Sequence, residues 1–171
     1  MQNEDLPVKP YAKDFGIIFG AYSILVLVLI YALDIESNYI ISILNFIVNV
    51  GIVWYAIHLY KNDNGNQLDL TTAIKLGLSI GVIGGLIYGI YTFIHYEWIQ
   101  TEFIPEMKAN MKAEMEAKIQ TEGMNEEEAD FLRNSSSYFA SPFILGTISL
   151  ISIIFKTFLV GLIVGMVKRN Q

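Results

Sequence analysis

The chain has 171 residues, of which 53% are hydrophobic and 16% are charged, whereas soluble domains carry about 25% charged residues. It contains no cysteine, which excludes disulfide bonds and thiolate metal sites. Stretches of 19, 24 and 21 residues lack Asp, Glu, Lys and Arg, at 15–33, 37–60 and 76–96, and a fourth, 134–167, carries only Lys156. Because about 18 apolar residues can span a bilayer, the sequence predicts an integral membrane protein. This excludes a soluble enzyme, a nucleic-acid-binding protein and a small secreted domain.

The predicted fold is all-α: a polytopic membrane protein in which four transmembrane helices form an up-down bundle and a helical insert joins the last two spans. In a single membrane domain covering 1–171, the spans are predicted at about 14–33, 39–60, 72–96 and 142–167. Asp14 is predicted to cap the first span and Asp69 or Thr71 the third, because their oxygen atoms can accept the free N–H groups of a first turn. Pro142 is predicted at the start of the fourth span.

The segment at about 97–140 is predicted to be an acidic helical insert. Ten acidic and four basic residues lie at 97–133, so this segment accounts for the whole net charge of −6. Such a surface repels nucleic acid. Gly123 is predicted to end its first helix, and Asn125 with Glu128 has the spacing of a capping box for a second helix.

Basic residues near the span ends indicate the orientation in the membrane. Four spans place both chain ends and the second loop on one side, which carries Lys9, Lys13, Lys61, Lys75, Lys168 and Arg169. The first loop, on the opposite side, has no lysine or arginine. Both termini are therefore predicted in the cytoplasm and the acidic insert outside, with the lipid bilayer as the partner of all four spans.

The third span carries small residues every four positions, which we call the glycine stripe: Ala73, Gly77, Gly81, Gly85 and Gly89. Gly84 adds a sixth small residue, and Gly161 and Gly165 repeat the spacing in the fourth span. This spacing lets two helix backbones approach closely in lipid. The stripe predicts either an interface with a second copy of the chain or packing against neighbouring spans. Packing within the chain is favoured, because single-chain bundles use the same spacing.

Polar residues form a candidate layer inside the membrane. The second span carries a polar stripe at helical spacing, Asn38, Ser42, Asn45 and Asn49, and the fourth span carries Ser149, Ser152 and Lys156. Counting from the span ends places Lys156, Asn49 and Ser23 near the middle of the bilayer. A lysine at that depth costs several kcal/mol unless it is neutral or hydrogen-bonded. A contact of Lys156 with Asn45, Asn49 and the glycine face of the third span is therefore predicted. Two interpretations stay open: a functional site, or a structural polar cluster that fixes helix register.

The sequence offers no catalytic, cofactor-binding or metal-ligating set. No Asp or Glu lies inside a predicted span, and the serine nucleophile elbow, the phosphate loop and the HExxH pattern are missing from the sequence. His58 and His95 fall near opposite membrane surfaces, where each is expected to keep a wet edge. The sequence therefore predicts a protein that is not an enzyme and needs no cofactor.

Four sequence segments carry a resemblance to a known family: TTAIKLG at the third span, GMNEEEAD in the insert, SPFILGT at the fourth span and the ending GLIVGMVKRNQ. With four spans, they resemble the bacterial membrane family catalogued as domain of unknown function 4199, which is common in Bacteroidota. In this resemblance Lys75 and Gly77 correspond to the family's Lys and Gly at the start of the third span. The resemblance covers nearly the whole chain and implies a bacterial inner membrane, but it brings no established activity.

Two functions follow as hypotheses. The first is a non-enzymatic membrane component that binds another membrane protein or a second copy of itself. The alternative is a small transporter or channel subunit that uses the polar layer around Lys156. The first is preferred, because a pathway needs polar residues at several depths on facing helices and this sequence offers one stripe and one layer.

Overall fold

The structure, a computed structural model, describes residues 6–35 and 39–170, except for the side chains at 132 and 134–138. Within this part the chain is all-helical: α1 Lys9–Ala32, α2 Tyr39–Asp63, α3 Leu70–Ile94, α4 Phe103–Glu122, α5 Glu126–Phe139 and α6 Pro142–Lys168. A π-helical turn, His95–Ile99, extends α3. Among these elements α1, α2, extended α3 and α6 are long and apolar enough to cross a membrane. The predicted fold class is confirmed.

The chain divides into two compact units, residues 1–88 with 149–171 and residues 89–148. In the first unit Gly16 of α1 packs against Ile83 of α3, and Gly20 packs against Ile87. Residue numbers rise together along both helices, which shows that α1 and α3 run parallel. The glycines have no side chain that would hold these backbones apart. The parallel pair is what an up-down arrangement requires of the first and third spans.

The other two long helices of the first unit run in the opposite direction. Gly161 of α6 packs against Gly77 of α3, and Leu150 packs against Gly85, so these two helices are antiparallel. At the start of α1 the Tyr11 ring meets the Tyr60 ring near the end of α2, with 5.2 Å between centroids. The helices enclose an apolar core that contains Phe19, Val53, Ile57, Leu76 and Ile80.

Both ends of the described chain are tied to the turn between α2 and α3. The Leu6 N–H donates to Asn64 Oδ1 at 3.0 Å. The Leu68 N–H donates to Asn170 Oδ1 at 2.9 Å, and the Asn170 N–H donates back to the Leu68 carbonyl at 3.0 Å. The chain ends and this turn therefore lie together at one end of the first unit.

The local start signals are correct for α3 and α6 and wrong for α1. Asp69 Oδ1 accepts the Thr72 N–H at 2.9 Å, and α6 begins at Pro142, both as predicted. The first helix begins at Lys9 rather than at Asp14, and its N-cap residue, Val8, makes no side-chain hydrogen bond. The reason is the proline in its first turn, which has the backbone angle of a helix and lacks an N–H group that would need a partner.

In the second unit α4 and α5 form a hairpin. Gly123 ends α4 with φ of +61°, a left-handed conformation that suits glycine, and the capping box of Asn125 and Glu128 begins α5. Both features were predicted. The Arg133 guanidinium donates to both carboxylate oxygens of Glu116, at 2.8 and 3.1 Å, which joins the two helices.

Candidate functional site

Asn49 is the most buried member of the predicted polar layer. Its side chain is 3% exposed, and its Nδ2 donates to Asn45 Oδ1, one turn earlier on α2, at 3.3 Å. Its Oδ1 is buried with no hydrogen-bond partner among the described residues. A buried carbonyl oxygen without a donor costs about 1–3 kcal/mol. Asn49 is therefore an unsatisfied acceptor inside the bundle.

The other members of the layer are not joined to Asn49 by hydrogen bonds. Ser23 is buried, but its hydroxyl donates to the Phe19 carbonyl of its own helix at 2.9 Å. Ser152 is exposed, and Lys156 is half-buried with no hydrogen bond or ion pair in the described part of the chain. Depth along a helix axis does not determine rotation about it, and this explains why residues at one depth do not meet.

The polar stripe of α2 changes its exposure along the helix. It shares the helix face of Val53, which is fully buried. Going back toward the start of α2, Asn49 is buried, Asn45 is half-buried and Ser42 is exposed, while Asn38 lies outside the described residues. This face of α2 is thus polar near the start of the helix, where it is exposed, and apolar further along, where it is buried.

The glycines of α3 lie on two faces of the helix, and each face packs against a different helix. A Cβ at Gly77 would lie 2.5 Å from the Thr157 carbonyl of α6, and one at Gly81 would lie 3.0 Å from the Ile154 Cα. Gly85 packs against α6 in the same way. Gly84 faces α1 instead, where a Cβ would lie 2.9 Å from the Gly16 carbonyl.

The remaining glycines of the predicted set also pack within the chain. Gly161 and Gly165 of α6 lie against Ala73. In the second unit a Cβ at Gly146 would lie 2.6 Å from the Gly89 carbonyl. These close approaches are made between helices of one chain.

A cluster that sequence reasoning missed joins the ends of α2 and α6. The Lys168 ammonium lies 2.9 Å from His58 Nδ1 and 4.2 Å from the centroid of the Trp54 ring, a cation–π geometry. Lys61 Nζ donates to the Lys168 backbone carbonyl at 2.6 Å. The four-residue spacing of Trp54 and His58, whose rings stack at 5.3 Å, is the one local signal of this cluster.

His95 lies in the π-helical turn and is 1% exposed, so the expected wet edge is wrong. Its Nε2 lies 3.3 Å from Gln100 Oε1, and the Gln100 N–H donates to the His95 carbonyl at 2.8 Å. The rings of Tyr91 and Tyr96 lie 5.7 and 5.2 Å away. The ring is buried within a π-helical turn, and no spacing in the sequence predicts such a turn.

The α4–α5 hairpin carries an open groove of about 740 Å³, which we call the acidic groove: Glu122, Gly123, Met124, Glu127, Glu128 and Phe131. Phe131 is 72% exposed. Beside the groove, the hydrogen bonds from Arg133 hold the pKa of the Glu116 carboxyl below its usual range. In the described residues no group of three or more His, Asp or Glu side chains is placed to hold a metal ion.

Residues 14–170 match the family described as Protein of unknown function (DUF4199). The chain belongs to this family. The match confirms the predicted resemblance and covers all of α2 to α6 with most of α1. No curated protein and no solved structure matches the chain. For this DUF4199 protein, the roles of residues therefore have to be argued from its own geometry.

Proposed function

We propose that this DUF4199 protein is a non-enzymatic membrane component whose α4–α5 hairpin binds a cationic segment of a partner protein. The acidic groove is the observation that supports this. Its lining combines three acidic residues, Glu122, Glu127 and Glu128, with two apolar residues, Met124 and Phe131. A segment with lysine or arginine beside one apolar residue would match both the acidic and the apolar part of this lining.

The exposed apolar side chain in the groove needs an explanation, because the hairpin surface is otherwise polar. Phe131 is 72% exposed although it lies on a helix rich in carboxylates. Aromatic side chains, phenylalanine among them, are enriched at protein interfaces relative to the rest of the protein surface. Methionine adapts its shape to varied partners. Met124 and Phe131 together provide an apolar anchor point that the surrounding charges would direct toward a basic partner.

The basic side chains of the hairpin neutralise the acidic groove only in part. Arg133 is engaged by Glu116 and Asp130, and Lys118 lies 3.9 Å from Glu122. Glu127 makes no ion pair among the described residues. The groove therefore keeps a negative potential, which accelerates encounter with a cationic partner at low salt.

Binding of a synthetic peptide with alternating lysine and leucine to the full-length protein in nanodiscs tests this function. Glu122→Gln with Glu127→Gln should weaken binding about tenfold, because two surface ion pairs are lost, and Phe131→Ala should weaken it further. Glu106→Gln with Glu114→Gln is the matched control, since it removes two exposed carboxylates elsewhere on α4. Equal losses in both double variants would mean unspecific charge attraction and would overturn the proposal.

The proposed orientation places both termini in the cytoplasm of a bacterial cell and the hairpin outside its inner membrane. The basic residues at the joined end of the first unit support it. Reporter fusions at Asn64 and at the end of the chain, Gln171, should give a cytoplasmic signal, and a fusion at Glu122 an external one. A cytoplasmic signal at Glu122 would reverse the orientation and would place the partner inside the cell.

One observation favours a second function, a transporter or channel subunit. The polar stripe of α2 leads from exposed Ser42 to the unsatisfied carbonyl of Asn49, as a water-accessible path would require. Since the chain has no cysteine, Asn45→Cys and Asn49→Cys introduce single labelling positions. A membrane-impermeant maleimide should label both if water reaches them, and Val48→Cys on the outer face should stay unlabelled. No labelling at Asn45→Cys or Asn49→Cys would eliminate this function.

A further inference from the structure

A groove of about 610 Å³ runs between the parallel helices α1 and α3 of the first unit, and we call it the lysine groove. Its lining includes Lys9, Lys13 and Lys75 together with the apolar side chains of Leu78, Val82 and Ile83. Its volume is typical of small-molecule sites, which measure about 300–1,000 Å³. Its walls are mostly apolar and its three charged residues are all lysines.

The helix geometry places the three charges at one end of this groove. Lys9 and Lys13 are one turn apart on α1, so they lie on the same face. Lys75 lies near the start of α3, and the two helices run parallel, so all three lysines are near the helix starts. At the other end the groove closes where Gly16 packs directly against Ile83. The groove is therefore basic at its mouth and apolar along its length.

The charges at the mouth are not satisfied by the protein. Among the described residues, Lys9, Lys13 and Lys75 make no hydrogen bond or ion pair, and no carboxylate lines the groove. The basic residues nearer α6 differ, because Lys61 and Lys168 are engaged in the contact between α2 and α6. The three lysines of the groove therefore have no anionic partner among the described residues.

We propose that the lysine groove binds one anionic phospholipid. The headgroup phosphate would be held by Lys9, Lys13 and Lys75, and an acyl chain would lie along Leu78 and Val82. Basic pockets between membrane helices bind anionic headgroups, and a lysine near such a surface contributes about 1 kcal/mol, or about fivefold in affinity.

The apolar walls decide between a lipid and an acidic peptide. From Lys75 to Val82 the groove follows α3 for about 10 Å, at 1.5 Å per residue. Val82 is 42% exposed on the outside of a helix that is apolar enough to span the membrane. A peptide could match the lysines but would have to enter the hydrocarbon to cover this wall, where its backbone polar groups would lack partners. A phospholipid matches both the lysines at the mouth, through its phosphate, and the apolar wall, through an acyl chain.

Native mass spectrometry of the full-length protein, incubated with equal amounts of phosphatidylglycerol and phosphatidylcholine of the same acyl chains, tests the proposal. The wild type should retain one phosphatidylglycerol in preference to phosphatidylcholine. The triple variant Lys9→Gln, Lys13→Gln, Lys75→Gln should lose at least about fivefold of that preference. The matched control Lys108→Gln, Lys112→Gln, Lys118→Gln removes the same charge from α4 and should keep it.

Two further arms separate the possible occupants of the groove. Val82→Trp should fill the apolar wall and lower the retention of both lipids, without altering the lysines. Excess sodium phosphate should leave the bound lipid in place. Equal lipid preference in the wild type and the lysine triple variant would overturn the proposal, as would displacement by phosphate. A wild-type dimer that the lysine triple variant abolishes would overturn it too, because the occupant would then be a second copy.

Discussion

The bundle of the first unit and the α4–α5 hairpin of the second are both helical, but different forces hold them together. In the bundle, helix backbones approach directly at glycines, and the contacts are buried. In the hairpin, the helices are joined by the exposed ion pair of Arg133 with Glu116, and α5 begins with a capping box. In lipid, where apolar surface gains little from leaving its surroundings, close packing supplies the attraction. In water, local polar signals define where short helices begin and end.

This difference predicts different sensitivities to substitution. Where a glycine packs against the backbone of a neighbouring helix, the contact cannot adjust to an added side chain, because backbone atoms have no rotamer to change. Exposed ion pairs can be replaced by water at little cost, because their charges stay solvated. Substitutions at bundle glycines should therefore have larger effects than substitutions of hairpin charges.

The largest effect is expected for Gly81→Leu. A side chain at this position would collide with Thr157 and with the Ile154 backbone of α6. Overpacking of this kind costs about 1–3 kcal/mol, or about 2–12 °C in melting temperature for a chain of this size. Thermal unfolding in detergent measures it. Gly51→Leu is the control, because a Cβ there meets nothing within 4 Å. Equal losses in both variants would show that the stripe is not an interface.

A smaller effect is expected for Asp69→Ala, which removes the cap of α3. Loss of such a cap costs about 1 kcal/mol. Asp14→Ala is the control, because Asp14 does not cap α1. Destabilisation of Asp14→Ala by the same amount would contradict the structure and support the sequence-based prediction instead.

The Asp69 cap also makes the stability depend on pH. Burial acts to raise the pKa of Asp69, but the hydrogen bonds from Thr72 and the neighbouring backbone outweigh it, and the net pKa is lowered. The stabilisation is therefore complete above the ordinary aspartate pKa and is lost as the pH falls through the lowered value. Asp69→Ala should remove this acid sensitivity, which melting curves at pH 7 and pH 3 compare.

In the hairpin, Arg133→Gln should increase hydrogen exchange in α5 and leave the melting of the bundle unchanged. The effect should shrink at high salt, because the ion pair with Glu116 is exposed. Arg133 holds the pKa of Glu116 below its usual range, so the pair contributes at neutral pH and is lost as the pH falls through that lowered value. Lys108→Gln, which removes the same charge, is the control. A lower melting temperature of the bundle in Arg133→Gln would contradict the separation of the two regions.

The smallest effect on stability is expected for Lys156→Met. The side chain keeps its length and loses a charge that has no hydrogen bond or ion pair in the described structure. The melting temperature should therefore stay the same or rise. A fall of several degrees would reveal a polar contact of Lys156 and would restore the predicted layer. If the second function is correct, the labelling of Asn49→Cys by maleimide should also change in this variant.

Features determined by neighbours along the chain could be predicted from the sequence. Charge-free stretches predicted four apolar helices, and Asp69, Gly123, Asn125 and Pro142 marked helix ends, because each acts within one turn. The predicted cap at Asp14 is wrong for an equally local reason, since a proline in the preceding turn already supports the start of the helix.

Features that depend on which helices are neighbours could not be predicted. The contact of Lys168 with His58 requires that α2 and α6 end side by side, and nothing near either residue states this. The same holds for Gly84, which faces α1 while Gly81 faces α6. Ser23 and Lys156 share a predicted depth with Asn49, yet rotation about each helix axis decides whether such residues meet.

The two-sided packing of α3 has a consequence for the order of events during synthesis. The face of Gly84 finds its partner, α1, as soon as α3 has been made. The face of Gly77 and Gly81 has to wait for α6, which is separated from the end of α3 by the 47 residues 95–141. At about 5–20 residues per second, synthesis of that segment takes about 2–9 s. During it, a half-assembled three-helix intermediate displays a bare glycine surface within the bilayer, to which the α6 of another nascent chain could attach.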